Sequence, residues 1–193
     1  MTQFTHLHVH SQYSLLDGAS DISRMIKKVK NNGMTALALT DHGNLMGIKE
    51  FHVECLNTGI KPLLGCEAYV AARTIYNKSD KIDRSGYHLI IIAKNKIGYQ
   101  NLTKLVSISH LKGDYYKPRI DRQLLEKYKE GLIICSACLG GEVPKHIMNG
   151  DIARAEETIM WYKQQFRDDY YLEIMRHPTE SKGPDENIFQ TQV

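Results

Sequence analysis

Six short apolar runs, separated by stretches with helical periodicity, restrict the architectures open to this chain. Gln3 to His10 alternates. Thr35 to Thr40, Pro62 to Ala71, Tyr87 to Ala93, Leu132 to Ser136 and Tyr170 to Met175 are apolar and in places strongly β-branched. Runs of this length and composition read as strands, most of them covered on both faces. Between them, Ser20 caps a predicted helix in which Ile22, Met25, Ile26 and Val29 recur at i, i+3, i+4 and i+7, closed by Gly33 in the left-handed conformation. Further helices are predicted from about Leu45 to Asn57, from Asn95 to Leu111, briefly after the cap Asp121, within Ala137 to Met148, and from Asp151 to Phe166. Residues 72–86 read as an exposed excursion, and Tyr115 to Arg119 as a basic, aromatic loop.

Strands alternating with helices imply parallel pairing through helical crossovers. A doubly wound open sheet and a βα barrel both satisfy this. No glycine-rich fingerprint follows the first strand, so the α/β barrel is the expectation. At 193 residues the chain suits one domain, and its net charge of +3 does not by itself argue for nucleic-acid binding. Cys55, Cys66, Cys135 and Cys138 lack metal-finger spacing, and no apolar run approaches a membrane span. Free thiols without a secretory segment lead us to expect a cytoplasmic protein and no membrane partner. From Arg176 onward the chain is polar, and Asn187 to Phe189 opens a new pattern, so the sequence reads as cut rather than finished.

Three of the nine histidines lie within five residues, at His6, His8 and His10. On a strand they would share one face about 6.6 Å apart, close enough to lean onto one cation or a close pair. Chemistry in a parallel barrel gathers at the carboxyl ends of the strands. The polar residues there are His8, His10, Asp41, His42, Glu67, His88 and Cys138, with Asp17 just beyond the first strand. Imidazole, carboxylate and thiolate all bind borderline divalent metals. Singly, each has a plainer reading: Asp41 to Asn44 as a capped turn, His88 as a strand-edge histidine, Cys138 as a small buried hydrophobe. Glu67 in an apolar strand is harder to set aside, because a buried carboxylate is costly unless paired or ligated. His6 is expected one layer deeper, and His52, His110, His146 and His177 on the surface. Lys117 and Arg119 suit either a solvated loop or a phosphate-binding loop.

His8 to Ser11, Leu15 to Gly18, Leu39 to Gly43 and Gly65 to Val70 resemble the motifs of the polymerase-and-histidinol-phosphatase (PHP) domain family. More narrowly, His88, Ala93 to Asn95, Gly98 to Leu102, Lys117 to Ile120 and Ser136 to Leu139 resemble the PHP domain at the amino terminus of bacterial DNA polymerase III alpha subunits. The resemblance implies a distorted seven-strand βα barrel over residues 1–175, truncated before its last strand, with 176–193 opening the next segment of a longer chain. It implies up to three divalent metals (zinc, manganese or iron, with magnesium also considered) held by His8, His10, Asp17, His42, Glu67, His88 and Cys138. The family's closing Asp-x-His pair is absent, which leaves one metal under-coordinated. The expected chemistry is two-metal phosphoester hydrolysis. Asp41 would orient His42, and Lys117 or Arg119 would stabilise charge. The substrate would be a DNA 3′ end, in an exonuclease-type proofreading role, within a DNA-directed DNA polymerase, a nucleotidyltransferase of DNA replication. Partners would be DNA, a proofreading exonuclease subunit and other holoenzyme subunits. A metal-stabilised scaffold that docks that subunit, and a stand-alone small-molecule phosphatase, are the rival readings.

Overall fold

The run Tyr87–Ala93 forms β3, the strand through the middle of the sheet, in a computed structural model that describes residues 4–79 and 81–175. The predicted segment 176–193 therefore lies outside the described residues. The other strands are β1 (Ala36–Leu39), β2 (Lys61–Val70), the short pair β4 (Asp114–Tyr115) and β5 (Lys117–Ile120), β6 (Leu132–Cys135) and β7 (Tyr170–Tyr171). Helices fall where the periodicity puts them: α1 (Ile22–Asn31), α2 (Ile48–Thr58), α3 (Lys96–Leu111), α4 (Arg122–Lys127), α5 (Glu142–Met148) and α6 (Ile152–Phe166). The cap of α1 is Asp21, whose side chain accepts from the Arg24 N–H, rather than Ser20. Gly33 does take the left-handed conformation, at φ +73°.

Strand order is β4-β5-β2-β3-β6-β7, with β1 also on β2. At ten residues β2 is long enough to share one edge, pairing with β1 over Lys61–Leu64 and with β5 at Tyr69 and Val70. The sheet is mixed, which corrects the all-parallel expectation. β1 and β5 run parallel to β2, and β7 to β6, but β3 is antiparallel to both β2 and β6, and β4 to β5. The reason lies in residues 71–86, which contain no helix long enough to carry the chain back to the other end of the sheet, so β3 returns alongside β2. His88, near the start of β3, thereby comes to the same sheet end as the carboxyl ends of β1 and β2.

The barrel is not closed among the described residues. The expected first strand is an irregular extended segment with a bend at His8, held beside β1 by Ala38 N–H to His6 O (3.0 Å) and Thr40 N–H to Val9 O (2.8 Å). That segment is one edge of the curled sheet and β7 the other, with no backbone ladder between them among the described residues. Side chains alternate across the sheet as the two-residue period demands. Outward, Leu37 and Leu39 of β1 pack on α1 and α2, while Leu89 and Ile91 of β3 and Leu132 and Ile134 of β6 join a core with Leu102 of α3, Leu125 of α4 and Tyr162 of α6. Inward, Ala38, Ile90, Ile92, Cys135 and Ala137 meet one another, so the sheet wraps around its own narrow core. On β2 the inward set includes Leu63, Gly65, Glu67 and Tyr69, which places one carboxylate just above that core.

The excursion over residues 72–86 is largely exposed, as expected, and its described residues are tied down by Arg119. Its side chain is fully buried, and its guanidinium donates to the carbonyls of Gly113 (3.1 Å), Asn77 (3.1 Å), Asp83 (2.7 Å) and Ile75 (3.2 Å). The expected phosphate-binding role of Arg119 is thus corrected: its donors are spent on backbone carbonyls beneath the loop. Arg119→Leu leaves those carbonyls unsatisfied, a loss of roughly 3 kcal/mol, so amide exchange over residues 74–84 of the parent chain should accelerate about 100-fold. Unchanged exchange would mean that another group anchors the loop.

Candidate metal centre

Glu67 is fully buried, and its two oxygens face four imidazoles. Oε1 lies 2.7 Å from His88 Nδ1 and 3.4 Å from His8 Nε2, while Oε2 lies 2.7 Å from His42 Nδ1 and 3.2 Å from His10 Nε2. The rings pack on one another, His10 stacked on His42 at 4.1 Å and edge-on to His8 at 5.1 Å. Cys138 Sγ completes the group at 3.7 Å from His88 Nδ1 and 3.8 Å from Glu67 Oε1. Asp17, largely exposed, reaches His42 Nε2 at 3.1 Å from the solvent side. All seven residues given as ligands by the family resemblance therefore meet in one place, drawn from five separate segments.

Each is set by local structure. The Gly43 N–H donates to the Glu67 carbonyl (2.9 Å) and the Glu67 N–H to the Asp41 carbonyl (3.1 Å), an isolated bridge that carries His42 to the side of β2. The His88 N–H donates to the Gly140 carbonyl (3.0 Å), and a Cβ on Gly140 would meet the His88 ring at 2.9 Å. Glycine there lets the turn carrying Cys138 close over the imidazole.

Asp41 acts differently from the expectation. Its buried carboxylate accepts from Ser11 N–H (2.7 Å), Ser11 Oγ (2.8 Å) and Ser14 Oγ (2.7 Å), not from the His42 ring. Ser14 Oγ in turn lies 3.4 Å from His10 Nδ1 and accepts from the His42 backbone N–H (3.1 Å). Asp41 thus anchors the turn that holds His10. His6 does not lie beneath the site: it is exposed and edge-on to Phe4 at 4.8 Å, because the bend at His8 breaks strand alternation. His146, expected at the surface, is buried 3.8 Å from Glu142. His52 and His110 are exposed, as expected, and His177 lies outside the described residues.

The sequence reading missed Glu173, whose Oε1 lies 2.7 Å from His8 Nδ1. The strand-end rule that found Glu67 finds Glu173 as well when applied to the run Tyr170 to Met175. It also missed Tyr69, edge-on to His88 at 5.2 Å and beneath Lys117 Nζ at 5.2 Å. Tyr69 lies on a cleft of about 430 Å³ that opens beside the imidazoles, with Tyr13, Leu15, Leu16 and Pro118 on its other walls.

The donor set fits a divalent cation. His42 Nδ1 and Glu67 Oε2 are buried and pair at 2.7 Å without an aligned hydrogen bond between them, as two ligands facing one ion would. Two triads, His8–His10–Glu67 and His42–Glu67–His88, each bring their ligand atoms within 4.8 Å of one another and share Glu67. Without a cation, protons balance the charge. Burial opposes ionisation of Glu67, but the surrounding imidazoles of His10, His42, His8 and His88 hold it far below the usual carboxylate range. Burial likewise opposes charge on His8 and His88. Even so, Glu173 and Glu67 hold His8 up to about 10, and Cys138 and Glu67 hold His88 up to about 9. Glu67 raises His42 too. Burial opposes the thiolate of Cys138, but His88 and the Gly140 N–H lower its pKa overall.

A model of the PHP domain matches residues 6–177. DNA polymerase III subunit alpha of Borreliella burgdorferi is 52% identical over 177 residues, 91% of this chain and 15% of its own length. The proteins of that name from Campylobacter jejuni and Treponema pallidum are 46% and 47% identical over 92% and 90% of this chain. The chain spans about 15% of the length of these curated relatives. Among solved structures, a candidate metal-dependent phosphoesterase from Bifidobacterium adolescentis aligns over 99% of this chain and 96% of its own at 11% identity, with a TM-score of 0.49.

The raised histidines stabilise the metal-free fold fully below their unfolded pKa of 6.5, and that contribution is lost as pH rises through about 9 to 10. The lowered Glu67 contributes above its unfolded value of 4.5 and loses its effect only far below it. The metal-free centre should therefore be most stable between about pH 4.5 and 6.5, whereas metal affinity should rise with pH as imidazoles give up protons. Calorimetry of zinc binding at pH 7, in two buffers of different ionisation enthalpy, should register release of more than one proton per chain. Release of none would contradict the protonated cluster.

Proposed function

The chain belongs to the PHP domain family, and from that premise we propose that it is the PHP domain of a replicative DNA polymerase III alpha subunit, hydrolysing phosphoesters at a DNA 3′ end. The observation that carries this reading is the convergence of four imidazoles on the buried Glu67 beside an open cleft, with the 2.7 Å pair of His42 Nδ1 and Glu67 Oε2 lacking an aligned hydrogen bond. His8, His10 and Glu67 would hold one divalent cation, and His42, Glu67 and His88 a second, with Cys138 and Asp17 in reach. Imidazoles and a thiol favour zinc, manganese or iron over magnesium. Bound there, such cations would supply a nucleophile at neutral pH and neutralise phosphate charge.

The chain's own residues do the rest. Lys117 presents its ammonium at the cleft wall, where it binds a phosphate oxygen. With Arg119 committed elsewhere, Lys117 alone carries the charge-stabilising role first shared between them. Tyr69 and Tyr13 offer ring faces, and Leu15 and Leu16 apolar surface, to an unpaired base. Ser14 and Asp41 hold the turn that carries His10.

We further propose that the domain runs over residues 1–175 and that 176–193 opens the next segment. A strand with the family's Asp-x-His pair, from elsewhere in the parent chain, would close the barrel and complete a third metal site. The partners would be DNA, a proofreading exonuclease subunit and other holoenzyme subunits, in the cytoplasm. No described helix is long and apolar enough to cross a membrane. A second reading is a metal-stabilised scaffold that docks the exonuclease. It is favoured by the spread of the ligands: His8 and His10 lie on one sheet edge and His88 in its middle, so cations would staple an open sheet.

In the purified parent chain, manganese-stimulated release of nucleotides from a 3′-labelled single-stranded oligonucleotide should fall at least 100-fold in both His10→Ala and Glu67→Ala. Lys117→Ala should raise KM about 10-fold with metal content unchanged. Metal-dependent melting without any turnover would instead establish the scaffold.

A further inference from the structure

Two of the four imidazoles are held from behind by a carboxylate. His10 Nδ1 reaches Asp41 through the Ser14 hydroxyl, at 3.4 and then 2.7 Å. His8 is held directly, with Glu173 Oε1 2.7 Å from its Nδ1 and its Nε2 facing Glu67 at 3.4 Å. An ionised carboxylate only accepts, so the proton in the first contact sits on His8 Nδ1 and the lone pair of a neutral ring sits on Nε2. Glu173 is itself fixed. Its N–H donates to Ser136 Oγ at 2.8 Å, and the Ser136 N–H donates to the Tyr171 carbonyl at 3.0 Å, so the residue is tied to the end of β6.

We infer that Glu173 is a positioning residue of the metal centre, fixing the tautomer and direction of His8 so that Nε2 is offered to a cation. The inference rests on the metal-centre reading and adds to it a residue from the opposite edge of the sheet. Glu173 follows β7, whereas His8 lies on the segment beside β1, and among the described residues the sheet's hydrogen bonding does not join these two edges. One contact therefore both aims a ligand and holds the open edges of the sheet together.

Cobalt(II) titration of the parent chain tests this, read by affinity and by the visible absorption of the bound ion. Glu173→Ala should weaken binding about 10- to 100-fold and alter the spectrum. Glu173→Gln, whose amide oxygen still accepts from Nδ1–H, should restore most of both. Asp169→Ala, which removes the ion pair with Lys94 next to β7 without touching His8, should leave both unchanged. Glu173→Ala with wild-type affinity and spectrum overturns the inference. So does a loss that Gln fails to restore and Asp169→Ala reproduces, which would mark a purely structural effect. A wild-type chain that takes up no cobalt overturns the metal-centre reading itself, an outcome distinct from either.

Discussion

The structure depends on keeping one carboxylate ionised in the interior. Glu67 sits on the inner face of β2, where an unpaired charge would cost several kcal/mol and a neutral carboxylic acid would serve no ligand role. Four imidazoles remove that cost, and they can do so only if segments distant in sequence come together. Deleting Glu67 itself would leave four imidazoles facing one another without their shared counter-charge. The cluster is therefore a fold constraint as much as a site, and it explains why the chain bends, bridges and turns as it does around residues 8, 42, 88 and 138.

Sheet topology follows the same demand. In an all-parallel sheet His88, one residue into its strand, would lie at the far end from Glu67. Reversal of β3 places it opposite Tyr69, two residues from Glu67 along β2. The absence of a crossover helix between β2 and β3 is what permits this. Arg119 then fixes the connecting loop by satisfying its carbonyls.

Much of this was legible in the residues. Helical periodicity located α1 and α6, because amphipathic faces such as Ile22, Ile26 and Val29 leave little choice, while cap and turn residues located α3, α4 and α5. The ligands announced themselves as polar groups at the ends of apolar runs. Pairing direction was not legible from composition, since a strand covered on both faces reads the same whichever way it runs. The lack of helical periodicity over residues 72–86 was the available clue. Arg119 misled because a cation beside tyrosines in a loop looks solvated, and nothing local reveals that backbone carbonyls will surround it. Glu173 was passed over because its strand pairs only briefly, through Tyr170 and Tyr171.

The inner core below the imidazoles has a consequence for traffic. Ala38, Ile90, Ile92, Cys135 and Ala137 seal the floor with side chains at most 5% exposed. The cleft beside the imidazoles opens above this floor, with Leu15, Leu16 and Lys117 among its walls. An occupant seated between those walls would lie over His42 and His88, and so slow the escape of any ion held behind it.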